Sequence, residues 1–296
     1  FSRKNVKWGI QLPWDKSQTA YVWADAFLNY LTGLDWDGNL KKIPGMWPAD
    51  IHLMSKDILR VHSTIWLAML LALELPLPKQ LFTHGFFLVD KQKMSKSIGN
   101  VIAPKDLVKK YGVDGARYLL MSATPFGHDG DVSWKKFDEK YNADLKNGLG
   151  NLVSRVTTMA EKLDKLDSSG KRLISDNTIK KYKKLLDEIK IDAVLFLIWN
   201  EIISKCDKYI TENKPWELEG KDNKKAEKIL YSCLETIRII ALMLLPFMTG
   251  TTEKIWESLG LDVAKEKEKK FLEAIKWGGL SPRSKIEKGE QLFPKI

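Results

Sequence analysis

The sequence is poor in the residues that build covalent or metal-held scaffolds. Among 296 residues there are two cysteines, Cys206 and Cys233, and four histidines, His52, His62, His84 and His128. Two thiols exclude a disulfide framework or a cysteine-rich zinc site, and they fit a reducing compartment. Long apolar runs are missing as well. The longest candidate, Ile239 to Phe247, is broken by Pro246 and falls short of the roughly 18 residues a membrane-spanning helix needs. The chain opens on Phe-Ser-Arg-Lys rather than Met, with no secretory leader, which leads us to expect a piece of a longer protein.

What is present is ordinary core material and an excess of positive charge. Hydrophobic residues make up 44% of the chain and aromatic residues 10%, which excludes disorder as the dominant state. The length suits about two domains at ~100–200 residues each. The 48 Lys plus Arg against 38 Asp plus Glu leave a net charge of +10. That balance favours a polyanionic partner, with nucleic acid ahead of an anionic membrane. The lysine clusters at 180–184 and 265–270 read as solvated helix faces, and no internal repeat is visible.

The chain has two textures. Residues 1 to about 130 hold most of the prolines and alternate helix-like with strand-like stretches. Tyr21 to Leu34 reads as a helix, because Trp23, Ala26, Phe27, Tyr30, Leu31 and Leu34 recur at three- and four-residue spacing. Gly33 stands near its end, as a left-handed cap residue would. A second helix is expected from about Asp57, as N-cap, to Leu73, with Pro76 and Pro78 beyond its end. Its face carries Ile58, His62, Ile65, Trp66 and Met69. Short apolar runs flank it: Ile51 to Met54 before, and Leu81 to Val89 after, the latter interrupted by Gly85. Strand, helix and strand in this order predict an α/β unit with a parallel sheet and a crossover helix.

From about Ser133 onward the pattern is helical. Phe137, Tyr141, Leu145, Leu149, Leu152, Val156 and Met159 mark one long helix. Leu195, Trp199, Ile202, Cys206 and Tyr209 mark another, and Ala226, Leu230, Cys233, Ile237, Ile240 and Leu244 a third. Such stripes pack as an all-α bundle. Gly148 and Gly150 weaken the first helix locally and point to close packing or an approaching RNA.

The sharpest chemical signal is Lys93-Met94-Ser95-Lys96-Ser97, directly after the Leu81–Val89 run and a short turn. Two ammonium groups and two hydroxyls on one loop can surround a polyphosphate. Lysine is a mobile point charge that can follow charge developing on departing pyrophosphate, which is transition-state stabilisation. KMSKS is a signature of class I aminoacyl-tRNA synthetases. The stretches FSRKNVKWGIQLPWD, YVWADAFLNYLTGL, MSKDILRVHSTIW, PLPKQLFTHGFFLVDKQKMSKSIGNVI and NGLGNLVSRV, with LPFMTGTTEKIWESLG and EQLFPKI at the end, resemble the methionyl-tRNA synthetase family across essentially the whole chain.

The resemblance implies the C-terminal part of a Rossmann-like catalytic domain followed by a helix-bundle anticodon-binding domain. Its implied division is 1–92 for the second half of the catalytic domain, 93–132 for the KMSKS loop and stem-contact region, and 133–296 for the anticodon-binding domain. It also implies ATP-dependent activation of methionine to methionyl-adenylate and transfer to tRNA(Met), with Mg2+ and in the cytoplasm. Position by position, Trp23, Ala26, Tyr30, Ile58, His62 and Trp66 would form the methionine pocket. Aromatic walls suit a polarizable thioether. Lys93, Ser95, Lys96 and Ser97 would serve the reacting phosphates. Asp57 would accept ribose hydroxyls, and His84, Gly85 and Phe87, with Lys96, would meet the rest of ATP. Asn151, Arg155 and Trp216 match the family's anticodon readers, where an indole stacks on a base while an amide and a guanidinium read base edges.

Four features depart from the family pattern. The His-Ile-Gly-His signature is absent, as are the first sheet strands and the cysteine-rich zinc knuckle, so no zinc ligands are expected here. A separate N-terminal half is therefore an expected partner, and this chain alone is expected to have little activity. Ser55 stands where the family commonly has Gly beside the ribose carboxylate. A non-catalytic tRNA-binding module derived from a synthetase is the alternative reading. The leucine, valine and cysteine enzymes share the KMSKS loop, but Trp23 and Trp66 around a thioether-sized pocket argue against them.

Overall fold

The strand–helix–strand reading of the first third is met by a parallel pair. The computed structural model describes residues 2–4, 6, 8–94, 99–218 and 220–296, and it divides into one unit ending at Phe86 and a second beginning at Phe87. In the first unit, β1 (Ser2–Lys4) pairs antiparallel with β2 (Gln18–Ala20). Strand β3 (His52–Ser55) lies parallel to β4 (Leu81–His84), with His52 opposite Leu81 and Ser55 opposite His84.

Local geometry differs from the sequence reading in four places. The helix expected over residues 21–34 is two short ones, α1 (Val22–Ala26) and α2 (Asn29–Thr32). Between them the backbone tightens to three-residue hydrogen bonds, such as Tyr30 N–H to Phe27 O at 3.1 Å, and this drops Phe27 and Leu31 into the core. Gly33 keeps a right-handed φ of −65°; the left-handed residue after the helix is Asp35, with φ 60°. Asp57 is not an N-cap. It sits inside a 3-10 turn, Lys56–Ile58, that leads from β3 into helix α3 over residues 59–72. The run Leu81–Val89 is not one strand, because Gly85 and Phe86 separate β4 from β5 (Phe87–Val89), which belongs to the second unit. The core of the first unit is Phe27, Leu31, Trp47, Val61, Trp66, Leu70 and Leu75.

The second unit opens with β5 between β6 (Gln92–Lys93), antiparallel, and β7 (Gly130–Asp131), parallel. The boundaries expected after residues 92 and 132 fall within it. Helix α4 (Pro104–Ser122) starts on a proline and breaks at Gly112, whose φ of 71° only glycine adopts freely. The three apolar stripes form α5 over 134–160, α7 over 191–213 and α8 (Asn223–Leu244), with α6 (Asp176–Asp187) between the first two. Ser133, Ser175 and Asp222 cap α5, α6 and α8 by accepting the backbone N–H of Lys136, Thr178 and Lys225.

Helix α8 is the axis of the bundle and is buried without interruption from Ile229 to Leu244. Burial of each large apolar side chain along it contributes about 1.5–3 kcal/mol. Cys206 and Cys233 are both enclosed there, with the Cys206 Sγ 4.0 Å from the Cys233 carbonyl oxygen. Its one buried ion pair is fully satisfied. Glu235 accepts from Arg238 at 2.7 and 2.9 Å and from the backbone N–H of Gly278, Gly279 and Leu280 at 2.8–2.9 Å. Arg238 also donates to the carbonyls of Ala274 and Lys276. Short helices α9 (Thr249–Ser258), α10 (Val263–Glu268) and α11 (Phe271–Ala274) close the unit.

Candidate active site and RNA-reading face

In the first unit, α1, α2 and α3 present their aromatic faces to one another. Trp23 lies 5.3 Å from Phe27 and 6.0 Å from His62, centroid to centroid, and Tyr30 lies 5.7 Å from Trp66. The Tyr30 hydroxyl is 2.9 Å from His62 Nε2, while His62 Nδ1 is 2.9 Å from the Ile58 carbonyl. A carbonyl only accepts, so Nδ1 carries the proton, and in the Nδ1–H tautomer Nε2 accepts the hydrogen bond that the tyrosine hydroxyl donates. Burial raises the Tyr30 pKa, which keeps that hydroxyl a donor. Of the six residues expected around methionine, Trp23, Tyr30, His62 and Trp66 converge. Ile58 joins through its carbonyl and by packing against the same cluster. Ala26 stays exposed at the end of α1.

The sequence reading missed three members of this cluster, Phe27, Trp47 and His52. His52 is buried, its ring 4.4 Å from Tyr30, and its Nε2 accepts the Trp66 indole N–H at 3.2 Å. An indole N–H only donates, so Nε2 is unprotonated. Burial first, and the nearby His62 second, push the His52 pKa down. The signal was available. Met54 is apolar and β3 alternates, so His52 two residues earlier must face the same way.

At the mouth of β3, exposed Asp57 accepts a hydrogen bond from the Ser55 hydroxyl. His84 donates from Nδ1 to the Gly85 carbonyl at 2.8 Å, next to Phe86, over whose ring the Lys56 ammonium lies at 5.1 Å. Phe87 and Lys93 belong to the second unit, where Lys93 pairs with Leu88 at the base of the KMSKS loop. Ser95, Lys96 and Ser97 lie outside the described residues. Among the described residues, no group of three or more His, Cys, Asp or Glu side chains could hold a metal ion.

In the helical unit, Trp216 stands on a 3-10 turn, Pro215–Glu217, that the left-handed Lys214 (φ 42°) turns away from α7. Its indole is 43% exposed, enough for a planar partner to stack. The Arg155 guanidinium lies 5.9 Å from that ring and pairs with Asp207 at 2.9 Å. Beside Trp216 a cavity of about 200 Å³ opens, floored by Met159, Leu163, Ala226 and Leu230. Asn151 lies exposed one turn before Arg155 on the same helix.

Comparison with known proteins follows this geometry. The family model described as tRNA synthetases class I (M) matches residues 2–157, and the anticodon-binding domain of tRNA ligase matches residues 175–291. Together they define the class: an aminoacyl-tRNA synthetase of class I, with a mixed helix and sheet part followed by an all-helical anticodon-binding part. Methionine–tRNA ligases of Caldanaerobacter subterraneus and Bacillus subtilis are each 40% identical over the whole chain. The chain spans about half of their length, 48% and 46%. A structure of Mycobacterium tuberculosis methionyl-tRNA synthetase in complex with methionyl-adenylate is 32% identical, covers 99% of this chain and 59% of its own, and superposes with a TM-score of 0.85. The chain belongs to the methionyl-tRNA synthetase family.

Proposed function

We propose that this chain works in methionine–tRNA ligation. The methionine carboxylate attacks the α-phosphate of Mg-ATP to form methionyl-adenylate, releasing pyrophosphate. The terminal ribose hydroxyl of tRNA(Met) then takes the methionyl group and AMP leaves. Neither step needs a covalent enzyme nucleophile; positioning and charge stabilisation suffice. In this reading the thioether rests among Trp23, Ala26, Tyr30, Ile58, His62 and Trp66. Asp57, His84, Gly85 and Phe87 hold adenosine, and Lys93, Ser95, Lys96 and Ser97 meet the phosphate charge with Mg2+. Asn151, Arg155 and Trp216 read the anticodon. The His-Ile-Gly-His segment missing from this sequence is supplied by a further N-terminal part, and the protein acts in the cytoplasm.

The observation that carries this reading is the closed set of rings in which Tyr30 and His62 hydrogen-bond at 2.9 Å between the two tryptophans. That gives an apolar, polarizable wall with one fixed polar edge, suited to a thioether and unsuited to a charged or branched side chain. The test is methionine-dependent ATP–pyrophosphate exchange by the full-length gene product. Trp23→Ala is expected to raise the KM for methionine and leave that for ATP unchanged. Equal loss of both, or full exchange activity with another amino acid, overturns it. Tight tRNA binding with no exchange under any condition favours the non-catalytic module.

A further inference from the structure

On α5, one turn before the Arg155–Trp216 pair, a second concavity opens, and of its lining only Asn151 has a role in the assignments above. It has a volume of about 330 Å³ and is walled by α5 and the C-terminal tail. Its polar lining is Lys146, Asn147, Asn151, Ser154, Lys288 and Gln291, with Gly150, Gly289 and Phe293 completing the wall. Lys146 and Lys288 carry no ion pair at their ammonium groups among the described residues, in a chain whose lysines are otherwise often paired. Among the described residues no carboxylate lines the cavity. Glu290, between two lining residues in the chain, reaches Lys254 at 3.5 Å, and Glu161 accepts the backbone N–H of Lys288 at 3.0 Å.

Two unpaired ammonium groups, two amides beside them and a further side-chain amide and hydroxyl make a donor-rich groove with no anionic rival. That is the chemistry of a phosphodiester subsite, where lysine supplies point charge and amides fix the strand. Asn151 lines this groove and lies about 6 Å along the helix from Arg155, at 1.5 Å rise per residue. A strand whose base meets Trp216 can therefore lay its backbone here. We propose that Lys146 and Lys288, with Asn147 and Gln291, grip the sugar–phosphate backbone of single-stranded RNA beside the base-reading residues. The inference rests on the RNA-reading assignment above.

The test is tRNA(Met) binding by the full-length protein across 50–200 mM salt, alongside a transcript with a changed anticodon. The Lys146→Gln/Lys288→Gln pair is expected to weaken both transcripts alike. It should flatten the slope of log affinity against log salt by about 1.4, from about 0.7 per single-strand phosphate contact. Lys146→Arg/Lys288→Arg should restore the wild-type slope. An unchanged slope in a variant that melts like wild type overturns the inference, as does weakening confined to the cognate anticodon. Trp216→Ala separates the two claims. If it leaves anticodon discrimination intact, the reading assignment falls while the salt slope still judges the groove.

Discussion

Replacing Glu235 with alanine is the most severe single perturbation the structure offers outside the site. The carboxylate is fully buried and holds five donors, two from Arg238 and three from the 278–280 backbone. Its removal leaves a guanidinium that is 2% exposed facing no counter-charge, although the carbonyls of Ala274 and Lys276 remain. Breaking a buried pair from one side costs about 3–5 kcal/mol. Each backbone N–H left without a partner adds about 1–3 kcal/mol if water does not reach it. The sum rivals the 5–15 kcal/mol, in rough terms, that a whole domain has to lose. Glu235→Ala should therefore unfold the helical unit at room temperature or shift its urea midpoint drastically. The double variant Glu235→Met/Arg238→Met should recover part of the loss, because the orphaned charge is gone while the loop amides stay unpaired. A urea or thermal melt of Glu235→Ala within about 1 kcal/mol of wild type would refute the reasoning.

Further outcomes follow from other contacts. Ser55→Gly frees an oxygen of Asp57 that the serine hydroxyl occupies, so the KM for ATP in pyrophosphate exchange should fall by several-fold with the methionine KM unmoved; a rise would show that the hydroxyl helps nucleotide binding. The His52 pKa lies below that of an unfolded histidine, so the unfolded chain binds the proton first. Stability of the first unit should then be complete above about pH 6.5 and decline as pH falls below it. His52→Gln should flatten that decline in thermal melts, and an identical slope would remove the assignment. Gly279→Ala would bring a Cβ to 2.6 Å from the Arg238 guanidinium carbon and should destabilise the helical unit measurably by calorimetry. Trp216→Ala should weaken tRNA binding in gel shift by about 1–3 kcal/mol if the indole stacks on a base.

Much of the architecture was legible because apolar spacing is a long-range signal. The three bundle helices and the parallel β3–β4 pair stand where the stripes and strand-like runs placed them. What escaped was local. Whether residues 21–34 form one helix or two depends on how Phe27 and Leu31 reach a core built by Trp47 and Trp66, which lie far away in the sequence. Gly85 could be read as a bulge or a break, and only the pairing of Phe87 with Gly130 decides for a break. In the candidate site, Trp23, Tyr30, His62 and Trp66 shared visible helical faces, whereas His52 and Trp47 reach it from a strand and a loop. The Ser55–Asp57 hydrogen bond depends on backbone geometry that spacing does not encode.

The middle of α5, Tyr141–Gly150, is wound wide, as a π-helix. Phe137, Tyr141, Leu145 and Leu149 all stay buried at steps of four, a spacing that would drift around an ordinary 3.6-residue helix. Loosened winding upstream thus sets the compass bearing of Asn151 and Arg155 downstream. Deleting one residue within 141–150 would remove the surplus that this winding absorbs, so the coil returns to ordinary pitch with Asn151 and Arg155 still on their present bearing. Deleting one from the regular turn between Asn151 and Arg155 would instead swing the guanidinium by about 100°, away from the indole.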